Sequence, residues 1–169
     1  MQYTSSEANK LLKKLNADYQ ALLETDYASR TYLAATGEDP DSVKPEYDYK
    51  KMQEDITALS EKIGKVKHAI NIFNSNTVIE GFDMTIDELL IRLPMINERV
   101  RSLDVMRRAL PKVRKRSYGA GTGATIDYEY TNYDREEAVA DYEKLFDYLS
   151  KAQTALDHLN TTVTFEIEI

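Results

Sequence analysis

Between Met52 and Phe73 the apolar residues Met52, Ile56, Leu59, Ile63, Val66, Ile70 and Phe73 recur at gaps of four, three, four, three, four and three. That spacing predicts one helix about 32 Å long, at ~1.5 Å rise per residue, carrying a single unbroken heptad seam. A stripe of this kind cannot bury itself, so the rest of the chain must supply partner helices. Isoleucine takes one of the two seam positions throughout (Ile56, Ile63, Ile70), and Met, Leu, Val and Phe take the other. Uniform apolar filling reads as packing, with no cavity for a cofactor and no charge to do chemistry. Gly64 and His68 fall at outer positions, so His68 reads as a solvated surface residue and not as a ligand.

Three more periodic segments answer the need for partners. Thr4-Ser5-Ser6-Glu7 reads as a capping box, in which a hydroxyl and a carboxylate each satisfy an orphan amide. A helix over about 5–35 follows, with Ala8, Leu12, Leu15, Tyr19 and Leu22 on its seam, widened by Leu11 and Leu23. Its next seam places are Asp26 and Ser29, so from there it is expected to leave the core or face another subunit. Gly37 reads as its C-terminal cap, and Pro40 and Pro45 forbid continuation, leaving an acidic, mobile tip before the second helix at 47–73. Asn71 to Thr85 reads as a break, with Asn74–Thr77 as turn chemistry and a β-like hairpin over 77–84 about Glu80-Gly81.

Thr85-Ile86-Asp87-Glu88 is a second capping box. It opens a helix over 85–110 with Ile86, Leu89, Leu93, Ile96, Val100, Leu103 and Leu110 on one stripe. Pro94 should bend or break it, and Arg107 occupies a seam place. Pro111 ends it. A β-like arm over 112–130 follows, basic on its first strand and tipped by Gly119-x-Gly121-x-Gly123. On its second strand Thr125, Asp127 and Glu129 alternate with Ile126, Tyr128 and Tyr130. Asp134–Glu137 reads as a third capping box before a helix over 134–160 with Tyr142, Leu145, Leu149, Ala152, Leu156 and Leu159 on its seam, widened by Val139 and Phe146. Over 162–168 the period becomes two: Val163, Phe165 and Ile167 alternate with Thr164, Glu166 and Glu168. That predicts a half-buried C-terminal strand, to pair with the 77–84 hairpin or with a neighbouring chain.

The expected fold is mainly α: an antiparallel four-helix bundle of coiled-coil-like hairpins with small β-hairpin arms and a C-terminal strand, in a single domain over 1–169. The length suits one core without staples. The absence of cysteine excludes disulfides and thiolate metal sites. No segment approaches the ~18 apolar residues of a membrane-spanning helix, and Met1–Ser6 shows no signal-peptide pattern. A cytoplasmic protein without a membrane partner is therefore expected.

The net charge of −7 conceals a partition: residues 92–116 carry 9 basic and 2 acidic side chains, whereas 117–169 carry 3 basic and 11 acidic. The plain interpretation sets the basic segment against acidic ones, within a subunit or between subunits. The sharper one makes it a surface for a polyanion, with Arg107, Arg108, Lys112, Arg114, Lys115 and Arg116 as cations and Tyr118 as a stacking residue. An acidic total disfavours nucleic acid everywhere except at that patch.

Signs of catalysis are missing. The glycine run lacks the buried strand before it and the helix after it that a dinucleotide fingerprint requires, and no Gly-Lys-Ser/Thr occurs. A di-iron bundle needs Glu-x-x-His pairs, but Lys65 and Ala155 stand three before His68 and His158. No nucleophile elbow occurs, and two histidines are the only ready bases. The chain reads as no enzyme, with no metal and no cofactor; a small-molecule ligand is not specified.

Several landmarks together resemble the septicolysin-like family of small bacterial proteins. They are Gly37-Glu38-Asp39-Pro40 between the first two helices, Ile70-Asn71-x-x-Asn74 late in the second, Gly81 four residues before Thr85-Ile86-x-x-Leu89, and Leu159-Asn160-x-Thr162. The chain departs from that pattern at Leu93-Pro94-Met95, where the family would lead one to expect an Arg-Asp pair, and at Thr161, where it would lead one to expect an aromatic. The resemblance implies a helical core with small β additions and offers no catalytic residue to carry over. A cytolysin, which the family name suggests, finds no support in an export signal or an insertion segment. The leading expectation is a non-enzymatic homo-oligomer acting as a scaffold or interaction module; the second is polyanion (nucleic acid) binding through 107–118.

Overall fold

The computed structural model describes residues 1–116 and 126–169. Tyr118 and the glycine run at 119–123 lie outside the described residues. The chain is mainly helical with small antiparallel strand pairs, in the order β1 (Gln2–Thr4), α1 (Ser5–Ser29), α2 (Pro40–Val43), α3 (Tyr49–Asn76), β2 (Val78–Ile79), β3 (Met84–Thr85), α4 (Ile86–Arg108), β4 (Lys112–Arg116), β5 (Ile126–Tyr130), α5 (Arg135–Thr162) and β6 (Thr164–Glu166). It divides into two compact units. One comprises Met1–Thr77 and Asp157–Ile169, the other Val78–Leu156.

The first unit is a helical hairpin of α1 and α3 closed by a strand pair. Thr4 caps α1 as the sequence predicts: its hydroxyl accepts from the Glu7 amide at 3.3 Å, and the Glu7 carboxylate accepts from the Thr4 amide at 2.9 Å. The Thr4 amide, followed by the Thr4 hydroxyl, holds the Glu7 carboxyl below its usual range. The α3 seam is the buried face of its helix, half-buried at Met52, Ile56 and Leu59 and buried at Ile63, Val66, Ile70 and Phe73. Val66 and Ile70 cluster with Ala8 and Ile167, and Leu11, Leu12, Leu15 and Tyr3 pack around them. At the hairpin's other end the Tyr47 hydroxyl donates to Asp26 at 2.5 Å, which raises the Tyr47 pKa. His68 and Gly64 are exposed, as their outer positions require.

Four expectations need correction here. First, α1 stops at Ser29 instead of running to 35, since no buried apolar residue lies beyond Leu23 to support it. Second, Gly37 is not its cap; at φ +91° it forms a separate turn in which the Glu38 amide donates to the Ala35 carbonyl, and Pro40 opens the one-turn helix α2. Third, α3 continues through Asn74–Asn76, which read as a turn. Phe73 is buried with its ring stacked on Phe165 at 4.5 Å, and that packing carries the helix past residues of weak propensity. Fourth, β6 does not pair with the 77–84 hairpin. Its partner is β1, antiparallel, with Tyr3 opposite Phe165.

In the second unit β2 and β3 form the expected hairpin, turning through Glu80–Asp83 with Gly81 at φ +81°. Thr85 caps α4 in a complete capping box with Glu88. Ile79, Ile86, Leu89, Leu103, Ala138, Leu149 and Ala152 are buried. Pro94 does not break α4, which is continuous from Ile86 to Arg108. The carbonyl that Pro94 leaves unpaired belongs to Leu90, an exposed residue, so water can satisfy it. Two seam expectations fail: Leu110 lies beyond the helix in solvent, and Phe146 is exposed, stacked on Tyr142. Asp134 caps α5 one-sidedly, accepting from the amides of Glu136 and Glu137; the return bond of a capping box is missing among the described residues.

Candidate functional site

The basic segment begins in the last turn of α4, where cations complement the helix dipole. Asp104 stands three residues before Arg107 and four before Arg108, so both guanidiniums reach it. Arg107 donates to Asp104 Oδ1 through Nε at 2.8 Å and Nη2 at 2.6 Å; Arg108 Nη2 lies 2.9 Å from Oδ2. Arg107 also lies over the Tyr142 ring at 4.0 Å. The bond to Asp104 raises the Arg107 pKa further, with burial opposing it. Arg107 therefore fills its seam place by stacking its planar head, and one carboxylate holds both arginines.

The arm follows. The Thr131 amide donates to the Pro111 carbonyl, and the Tyr133 hydroxyl donates to Met106 at 2.8 Å, fixing the base of the arm to the end of α4. β4 and β5 pair antiparallel with Lys112 opposite Tyr130, Arg114 opposite Tyr128 and Lys115 opposite Asp127. Because side chains alternate along a strand, this register sorts the arm into two faces. One holds Val113, Lys115, Asp127 and Glu129, with Lys115 Nζ 2.7 Å from Glu129. The other holds Lys112 and Arg114 with Tyr128 and Tyr130, which are 46% and 61% exposed. Lys112 Nζ sits 4.0 Å from the Tyr128 ring centre and 5.3 Å from that of Tyr130.

The seven residues singled out by sequence are thus divided. Asp104, itself within the basic segment, engages Arg107 and Arg108, and Glu129 of the acidic segment that follows engages Lys115. Lys112 and Arg114 share an exposed aromatic face and form no ion pair among the described residues. Arg116 lies at the end of β4. Tyr128 and Tyr130 are the aromatic partners that sequence reasoning missed. Their alternation was visible, but which cations they face depends on a register that only the length of the arm's turn decides.

A second feature of this unit is a groove of about 470 Å³ between α4 and α5. Arg92, Met95, Ile96 and Arg99 line it from α4, and Asp141, Lys144, Leu145 and Tyr148 from α5. Both sets follow the spacing i, i+3, i+4, i+7, which places four side chains on one helix face. The centre is apolar and the rim charged, with three cations and one carboxylate. None of these four charged groups forms an ion pair among the described residues. The groove lies where the α4 seam is only half-buried, at Leu93, Ile96 and Val100.

No family model and no curated protein matches this chain. Among solved structures the fold is similar to that of a functionally unknown conserved protein from Corynebacterium diphtheriae, at 12% identity and a TM-score of 0.62, over 98% of this chain and 100% of that one. At that identity the likeness shows the fold alone. Among the described residues, no helix is long and apolar enough to cross a membrane.

Proposed function

We propose that this chain is a non-enzymatic, self-associating helical protein: a scaffold or interaction module of the cytoplasm, its four long helices forming an antiparallel bundle with coiled-coil-like seams. The septicolysin-like resemblance belongs to the same reading and adds no chemistry to it. The observation that carries it is the apolar surface of α4, where Ile91, Met95 and Val105 are 62%, 60% and 70% exposed. Ile91 and Met95 stand one turn apart beside a groove with an apolar floor, and side chains so placed gain free energy by meeting a partner. Sedimentation velocity at tens of micromolar is expected to give a mass above that of one chain; a plain monomer overturns the reading.

A second reading rests on the Lys112, Arg114, Tyr128 and Tyr130 face. Cations beside exposed aromatics are what single-stranded nucleic acid uses, the bases stacking while the backbone is neutralised. Fluorescence anisotropy with a labelled single strand at low salt tests it. Binding must weaken with salt and must be lost in a Tyr128→Ala/Tyr130→Ala variant. A signal indifferent to both removes this reading.

A further inference from the structure

We propose that copies of this chain associate head to tail, the 31–43 segment of one copy seating Leu33 in the α4–α5 groove of the next. The proposal rests on the self-association reading and names the two surfaces that carry it.

Leu33 is 95% exposed, and Tyr32 and Val43 in the same segment are also exposed. The same segment carries Glu38, Asp39 and Asp41 and no basic residue, with Arg30 and Lys44 flanking it. Residues 35–42 of the segment are held by bonds of their own. The Ala35 amide donates to Glu38 Oε2 at 2.9 Å, the Glu38 amide to the Ala35 carbonyl at 3.0 Å, and the Ser42 hydroxyl to the Asp39 carbonyl at 2.7 Å. An ordered segment loses little conformational freedom when it docks.

The groove is the complement. Met95, Ile96, Leu145 and Tyr148 offer an apolar floor, and Arg92, Arg99 and Lys144 outnumber Asp141 on the rim. Three other exposed aromatic sites suit it less well. Tyr27 lies under Arg30 at 4.6 Å, Phe146 is stacked on Tyr142, and the Tyr128–Tyr130 face carries cations that the rim would repel. Leu33 is the most exposed large apolar side chain among the described residues. Because tip and groove are different surfaces, the contact is heterologous, and repetition closes a ring or extends a filament.

The test uses the full chain in three forms: wild type, a tip variant Leu33→Ser, and a groove variant Arg92→Glu/Arg99→Glu. All the substituted side chains are exposed, and matched thermal melts check that each variant folds. Each variant alone is expected to sediment as a monomer, with association weakened at least about tenfold. Mixed one to one, the tip variant's intact groove should take the groove variant's intact tip, giving a species of two chains and nothing larger. Asp41→Lys, whose carboxylate holds no local bond, serves as a second tip variant and should behave like the first. A wild-type assembly that either variant leaves unchanged overturns this inference while the self-association reading stands. Two monomeric variants that fail to pair on mixing also overturn it. A wild type that is itself monomeric removes the underlying reading as well.

Discussion

Helices α3 and α4 carry the same kind of signal and come out differently. Both show apolar residues at heptad spacing, and in both the stripe reaches the core. In α3 it is half-buried at Met52, Ile56 and Leu59 and buried from Ile63 to Phe73. In α4 it is buried at Ile86, Leu89 and Leu103 but only half-buried between them, while Ile91 and Met95 stand in solvent off the stripe. Pro94 sits among those exposed residues. A seam reports where a helix meets its own chain; apolar residues beside the seam report where it has met nothing yet. That contrast separates a helix buried along one continuous end from one buried only near its two ends.

The largest test attacks the packed end of α3. Phe73→Ala removes a buried ring stacked on Phe165 and is expected to cost about 3–5 kcal/mol in urea unfolding. It also removes the contact that carries α3 through Asn74–Asn76, so amides there should lose hydrogen-exchange protection before the rest of the helix. A loss below about 1 kcal/mol would mean that the α3 seam is no firmer than that of α4.

The next test inverts the sign. Pro94→Ala restores an amide to the Leu90 carbonyl in a helix interior, and is expected to stabilise the fold by about 1–3 kcal/mol. A change that improves the fold at this place implies that α4 has not been shaped for stability there. A destabilising result would show that Pro94 sets a bend which the packing of α4 needs, and the contrast with α3 would weaken.

These two helices also show what was legible in the sequence. The α3 seam needs no partner to be read, because period alone carries it. The caps at Thr4 and Thr85 are equally local, and both form as written. What failed was non-local. β1 is three residues long and ends at a cap, too short to show a period, so nothing in the sequence marks it as the partner of β6. Gly37 and Pro40 are strong stop signals, yet α1 ends well before them, where its burial ends. In the basic segment, Asp104 was readable at i−3 and i−4 from the two arginines it holds. The pairing of Lys112 and Arg114 with Tyr130 and Tyr128 was not, because it depends on strand register. The groove lay in plain view as two i, i+3, i+4, i+7 sets, but only the fold shows that they face each other.

A smaller effect tests whether α4 is anchored at its start as firmly as its seam suggests. Thr85→Ala should cost about 1 kcal/mol through the lost cap. Glu88 returns the bond, and the Thr85 amide, followed by the Thr85 hydroxyl, holds its carboxyl below the usual value. A carboxyl whose pKa is lowered by folding stabilises the fold above its unfolded pKa and loses that contribution as pH falls through the folded one. The advantage of wild type over Glu88→Gln should therefore be flat near neutrality and vanish in acid. An advantage that grew in acid would contradict the capping geometry.

The smallest effect on stability bears most on the comparison. Met95 is exposed on α4 and lines the groove, so Met95→Ser should change the unfolding free energy by no more than about 0.5 kcal/mol. Leu89→Ala, six residues earlier on the same helix but fully buried, should cost about 2–5 kcal/mol. If the exposed side of α4 is the associating one, Met95→Ser lowers the sedimenting mass while leaving the melt unchanged. Equal losses of stability at the two positions would mean that Met95 belongs to the core after all. The contrast between α3 and α4 would then be one of degree, and the apolar surface that supports association would be gone.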